Sequence, residues 1–252
     1  MIVAENLVKI YSGDIRAIDG ISFTIEPGEV CGYLGSNGAG KSTTIRIICG
    51  MLEATSGNVF VNGFSVKDDP VTVKKMIGYV PETGALFLSL TPFDFLEFVC
   101  RMYDLPKDVY VQRIYGFMEL FDLKDEVNTP MHTFSKGMRQ KVLIISSLIH
   151  NPDVIIWDEP LSGIDYNTTL VIRNLVKDLT SQGKTFFYST HLVDSAEKLC
   201  SRVIIINRGK IGFDGLVNPE NPRELEELMS LHSVPADIND KLSGLYKNLS
   251  ST

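Results

Sequence analysis

Eight consecutive residues carry the strongest chemical signal in the chain: Gly35, Ser36, Asn37, Gly38, Ala39, Gly40, Lys41 and Ser42. A Gly, four residues, then Gly-Lys-Ser is the spacing of a phosphate loop. Successive backbone N–H groups in such a loop point into one concavity and wrap phosphate oxygens. The glycines are required because a Cβ would block the positive-φ turns and the close approach to a ligand. Lys41 can reach the β- and γ-phosphates, and Ser42, followed by Thr43, offers a hydroxyl to Mg²⁺. A second signal is Asp158-Glu159 at the end of the apolar run 154–157. Asp158 there can hold Mg²⁺ through water, and Glu159 can orient or deprotonate an attacking water. His191 closes another apolar run, 185–189, where it is either structural or in reach of a γ-phosphate. Tyr11, just before the Gly13 turn, is either a platform for a purine or a strand-edge aromatic. Together these residues point to a nucleoside triphosphate as ligand.

Such groups work only if elements deliver them to one place. Residues 29–34 read as a short apolar strand feeding the loop, and Ile45, Ile48, Cys49 and Leu52 recur at helical spacing from about Lys41. The helix N-terminus adds its partial positive charge at the phosphates. Residues 1–30 alternate short apolar runs with turns at Gly13-Asp14 and Pro27-Gly28, as in a small antiparallel sheet. Residues 58–63 form a further strand, and 74–81 rise into a buried strand that stops at Pro81. Residues 84–150 are mostly helical: Thr91, Pro92 and Asp94 form a helix start, a second helix covers about 108–121, and a third follows Ser135. Strands at 154–157, 185–189, 203–207 and 210–213, with a helix at about 170–179, imply a mainly parallel sheet covered on both faces. Helical pieces at 224–231 and about 236–249 follow, either a docking appendage or a loosely held end.

Composition sets bounds on function. The chain has 252 residues, 44% of them apolar, enough for a substantial core. Twenty-four basic against 31 acidic residues argue against a nucleic-acid partner, because no basic excess covers a phosphate backbone. Cys31, Cys49, Cys100 and Cys200 are scattered without a C-x-x-C pair, so reduced thiols in a cytoplasm are the simpler reading. The N-terminus lacks a signal-peptide pattern, and no apolar stretch nears the ~20 residues that cross a bilayer.

The order of motifs then becomes specific. Asp158-Glu159 is followed by Leu161-Ser162-Gly163-Ile164-Asp165 and then by Ser189-Thr190-His191; ahead stands Phe134-Ser135-Lys136-Gly137-Met138-Arg139-Gln140-Lys141. This order resembles the ATP-binding subunits of ABC transporters over nearly all of residues 1–213. The resemblance implies an α/β fold: a P-loop NTPase core with a mainly parallel sheet, an N-terminal antiparallel β subdomain and an inserted α-helical subdomain at about 84–150. It implies an ATP-binding domain over 1–215, with 216–252 as a short helical extension. It further implies an ATPase that uses ATP and Mg²⁺ to power transmembrane permease subunits from the cytoplasmic face of the cell membrane. Two such domains, as a homodimer or heterodimer, pair head to tail with two ATPs between them.

Carried over by position, Tyr11 stacks on adenine, while Lys41 and Ser42 keep their phosphate and metal roles. Asp158 supports the metal, Glu159 polarises water and His191 senses the γ-phosphate. Ser135 and Gly137 contact the partner's γ-phosphate, and Asp165 lies in a loop crossing the interface. The chain departs from the family's Leu-Ser-Gly-Gly-Gln signature at Phe134, Lys136 and Met138, and has Glu82 where Gln is usual. A carboxylate at 82 can still serve Mg²⁺ or hold a water. Both variants resemble the subset that pairs with separate, often exporter-type membrane subunits. Three rivals remain: a soluble relative acting on ribosomes or DNA, a non-hydrolysing regulator, and an unrelated small-molecule kinase.

Overall fold

The computed structural model describes residues 1–82, 84, 86–161, 163–217 and 222–233. In chain order the elements are β1 (Ile2–Tyr11), β2 (Ile15–Ile25), β3 (Val30–Leu34), α1 (Lys41–Ile48), β4 (Ser56–Val61), β5 (Phe64–Ser65), α2 (Pro70–Met76) and β6 (Ile77–Val80). Next come α3 (Pro92–Met102), α4 (Lys107–Leu120), α5 (Lys136–Leu148), β7 (Val154–Asp158), α6 (Tyr166–Ser181), β8 (Thr185–Thr190), α7 (Val193–Leu199), β9 (Arg202–Asn207), β10 (Lys210–Leu216) and α8 (Pro222–Ser233).

The strands make two sheets. One is antiparallel, in the order β2-β1-β4-β5; the other runs β10-β9-β3-β8-β7-β6, with only β10 antiparallel to its neighbour. The parallel strands of the larger sheet are buried on both faces, which is why they read as apolar runs, whereas the edge strand β10 alternates exposed and half-buried residues. In β3, Cys31 and Tyr33 face the layer under the antiparallel sheet, whereas Val30 and Leu34 face the helical layer. The same alternation sends Ile156 to the first layer and Ile155 and Trp157 to the second. Helix α5 lies directly on the sheet. The Ser147 carbonyl occupies the space a side chain on Gly78 would need, and the buried Trp157 indole donates to the Ser147 hydroxyl at 3.0 Å. That contact satisfies the one polar atom of a ring otherwise buried for its apolar area.

The α/β architecture, the antiparallel sheet and the helices over 84–150 follow the sequence expectation. Thr91 accepts from the Asp94 N–H and Asp94 reaches back to Thr91, a complete capping box on α3. Four differences have local causes. The apolar runs of the first 25 residues merge into two long strands, because the breaks in pattern are bulges, with Asn6 at φ +46° between Ala4 and Leu7. Lys74, Lys75 and Met76 close helix α2 rather than open a strand; Pro70 suits its first turn, and its seven residues are too few to show a helical period. The seven-residue α7 is likewise absent from the pattern. Helix α6 begins at Tyr166 rather than near 170, because Asp165 caps it. The expected helix at 236–249 lies outside the described residues.

Candidate active site

Three parallel strands end at the same edge of the larger sheet, and each hands a loop to one cleft. Strand β3 delivers the phosphate loop, β7 delivers Asp158 and Glu159, and β8 delivers Thr190 and His191. A cleft of about 310 Å³ there is lined by loop residues Ser36, Asn37, Gly38, Gly40, Lys41, Ser42 and Thr43, together with Ala17, Glu82, Asp158 and Glu159.

The loop itself is built on backbone conformations that side chains resist. Gly38 (φ +80°) and Gly40 (φ +116°) lie in the left-handed region, and an added side chain on Gly40 would begin 2.6 Å from the Ala17 carbonyl. Gly35 packs so closely on the Ile206 carbonyl that no Cβ fits. Ala39 donates its N–H to the Ser36 carbonyl at 3.1 Å. Lys41, at the first position of α1, folds back over the loop and donates to the Gly35 carbonyl at 2.6 Å and to Ser36 at 3.3 Å. It is 7% exposed. Burial pulls its pKa down, and Glu159, Asp158 and Glu82 oppose that shift. An ammonium held by neutral carbonyls and surrounded by carboxylates is poised to exchange those carbonyls for phosphate oxygens.

The carboxylates are held as firmly. Asp158, 2% exposed, accepts from the Ser189 hydroxyl at 2.7 Å. Glu159, 8% exposed, accepts from Thr190 Oγ1 at 3.1 Å through Oε2, and its Oε1 lies 2.6 Å from His191 Nδ1. Its backbone is in the left-handed region at φ +51°, pinned by an N–H donated to the Ser189 carbonyl at 3.0 Å. A non-Gly residue costs about 1–2 kcal/mol there, so the fold spends stability to aim this side chain. His191 is thus in direct contact with Glu159. Tyr11 is 38% exposed; its hydroxyl pairs with that of Thr43 at 3.4 Å, and the Lys9 ammonium covers its ring at 5.4 Å from the centroid.

Ser135 and Gly137 are not in this cleft. They stand at the start of α5. Ser135 caps α5, accepting from the Met138 N–H at 3.2 Å. Gly137 is small because the Gly163 carbonyl would lie 3.0 Å from a side chain there. The Lys136 methylenes run 3.4–3.8 Å from the side-chain position of Gly163. Further along α5, the buried Gln140 amide donates to the Pro160 carbonyl at 3.0 Å. Lys141 lies 3.6 Å from Asp165. Asp165 caps α6 through Thr168, whose hydroxyl, together with its N–H, holds that carboxyl at about 2. The signature turn is therefore bolted to the segment that leaves Glu159.

Sequence reasoning missed Ala17, Ser189, Thr190 and Gln140. Ala17 reaches the cleft from near the start of β2, which only the hairpin's position reveals. Ser189 and Thr190 stood beside His191, and a hydroxyl pair at a core strand's end was an available signal.

For a metal, the fit is one of oxygen donors. Among the described residues no group of three or more His, Cys, Asp or Glu is arranged to hold a metal alone. Ser42, Asp158 and Glu82 instead share one cleft. That suits Mg²⁺, which takes one or two carboxylates and completes its shell with water and phosphate.

The comparisons agree with this geometry. A family profile described as ABC transporter matches residues 18–162. The ABC transporter ATP-binding protein NatA of Bacillus subtilis (strain 168) is 38% identical over 203 residues, 80% of this chain and 82% of the relative. The linearmycin resistance ATP-binding protein LnrL of the same organism is 38% identical over 211 residues, 84% and 68% of the two chains. Among solved structures, an ATP-binding subunit of an ABC transporter superposes with a TM-score of 0.82 at 28% identity, covering 99% of each chain. A dimeric ATP-binding cassette in a post-hydrolysis state, bound to ADP and Pi, gives 0.79 at 26% identity over 86% of this chain and 99% of that one. This chain belongs to the ABC transporter family, as one of its ATP-binding subunits.

Proposed function

We propose that Glu159 is the residue through which this ATPase activates water, and that each protomer supplies only half of each working site. The chain binds and hydrolyses ATP and powers a membrane transporter. The single observation that carries the catalytic reading is Glu159 itself, a buried carboxylate on a left-handed turn with one oxygen on His191 and the other on Thr190. In that role it takes a proton from water as the water oxygen bonds the γ-phosphorus and the bond to the β-phosphate oxygen breaks. His191 keeps the carboxylate oriented and faces the γ-phosphate. Lys41 and the N–H groups of residues 35–43 hold the phosphates, and Tyr11 stacks on the base. Mg²⁺, held by Ser42 with Asp158 and Glu82 in support, would offset the charge that builds on the β- and γ-phosphate oxygens. Ser135 and Gly137 complete the site of a second ATP-binding domain, the same chain or another; that neither lines the chain's own cleft supports this.

Residues 1–215 form the ATP-binding domain on this reading, with 216–252 as an extension. No helix among the described residues is long and apolar enough to cross a membrane. The permease subunits accordingly hold the chain at the cytoplasmic face. The signature variant Phe134-Ser135-Lys136-Gly137-Met138 and the likeness to a linearmycin resistance protein support an exporter-type partner. The test is Glu159→Gln: hydrolysis falls about 10²- to 10⁴-fold while ATP affinity stays within about threefold. Turnover at the wild-type rate overturns the role of Glu159.

A further inference from the structure

The outer wall of the phosphate loop is made by a distant part of the chain. The Ile206 carbonyl fills the side-chain space of Gly35, and the Ile206 side chain lies 3.2 Å from the side-chain position of Gly40. The Gly209 N–H donates to the Ala39 carbonyl at 2.9 Å, and the Gly209 carbonyl accepts from the Asp19 N–H at 2.9 Å. Residues 206–209 therefore back the loop at Gly35, Ala39 and Gly40. They form a tight hairpin turn between β9 and β10, with Arg208 at φ +49° and Gly209 at φ +77°, a stiff two-residue connection.

Asn207 sits inside that turn and does not line the cleft. Its amide donates to the His232 carbonyl in the last turn of α8, at 2.7 Å. The His232 ring rests on Gly212, 3.1 Å from its side-chain position, and is tilted against Phe213 at 6.1 Å. Toward the other end, Leu225 is buried, and Leu228 and Met229 pack on the core. Helix α8 is thus anchored in the core toward its start and tied to the loop's backing turn at its end. The family profile ends at residue 162, well before this helix.

We propose that Asn207 is a positioning residue for phosphate binding: it ties α8 to the turn that backs the phosphate loop, so that docked α8 raises the loop's affinity for nucleotide. Loop N–H groups grip phosphate at little cost only when they are already held in place. Loosening the turn leaves the nucleotide to order it. Coupling of this kind is reciprocal, so bound nucleotide must in turn tighten α8. The inference rests on the phosphate-loop assignment, which Lys41→Ala tests separately.

Two measurements decide. In Asn207→Ala and the near-isosteric Asn207→Asp, the KM for ATP and the Kd for ADP rise together by about two- to tenfold, the range expected for one lost hydrogen bond. The kcat stays within twofold, a split that a purely structural role would not give. In the unmodified full chain, saturating ADP slows amide hydrogen exchange across residues 222–233. If affinity is unchanged in both variants, or α8 exchanges equally with and without ADP, the brace is overturned. A Lys41→Ala chain that still binds ADP normally would instead sink the loop assignment itself.

Discussion

The nucleotide cleft and the signature turn are both built from short polar residues at the ends of core elements, yet they are finished to different degrees. In the cleft, Lys41, Asp158 and Glu159 are buried and each has a protein partner. At the signature turn, Ser135 is exposed, and its hydroxyl accepts from its own helix. A buried charged group is costly unless it is paired, so the cleft must be organised within one chain before any ligand arrives. A helix N-terminus left at the surface is cheap to maintain, and its partial charge gains most when an anion is brought to it. On the proposed reading, the difference teaches that one region grips nucleotide with groups from a single chain, while the other waits for nucleotide held by a second domain.

Lys41→Ala breaks the first half of that comparison with the largest effect. It removes the buried ammonium that faces Asp158, Glu159 and Glu82 and, on the proposed reading, its charge-assisted contacts to phosphate. ATP affinity falls by ~2–4 kcal/mol, roughly 30- to 1,000-fold in Kd, by equilibrium titration. Unchanged affinity would contradict the phosphate-loop assignment.

Tyr11→Ala sharpens it with a smaller effect. Loss of a stacking platform costs ~1–3 kcal/mol, and ATP and GTP weaken by similar factors because a ring face reads no hydrogen-bond edge. Selective loss of ATP alone would contradict stacking, and no loss would return Tyr11 to a structural part of β1.

How much of this was legible in the sequence follows from where each signal lies. The loop, Asp158-Glu159 and His191 were readable because their chemistry is written in contiguous residues at the ends of apolar strands. Ala17 was not, since its arrival at the cleft depends on how a ten-residue strand and its hairpin partner lie over the larger sheet. The clamp of Gln140 on Pro160 and of Lys141 on Asp165 joins residues 20 and 24 apart in sequence, through tertiary packing that no local period records. Helices α2 and α7, of seven residues each, are stabilised by their contacts rather than by an intrinsic pattern. Asp165 looked like an interface residue; the structure gives it a second, local duty as the cap of α6.

The central claim, that a working site takes its phosphate grip from one chain and its signature turn from another, is tested most directly by mixing two dead proteins. One carries Lys41→Ala and the other a bulky replacement at Ser135. In a mixed dimer one site holds both lesions and the other holds neither. The account predicts that mixing restores a fraction of ATPase activity, rising with protein concentration. A parallel mixture in the Glu159→Gln background then forms an ATP-dependent mixed dimer on sizing. No restored hydrolysis at any ratio, together with no mixed dimer, would contradict a shared site built from two copies of this chain.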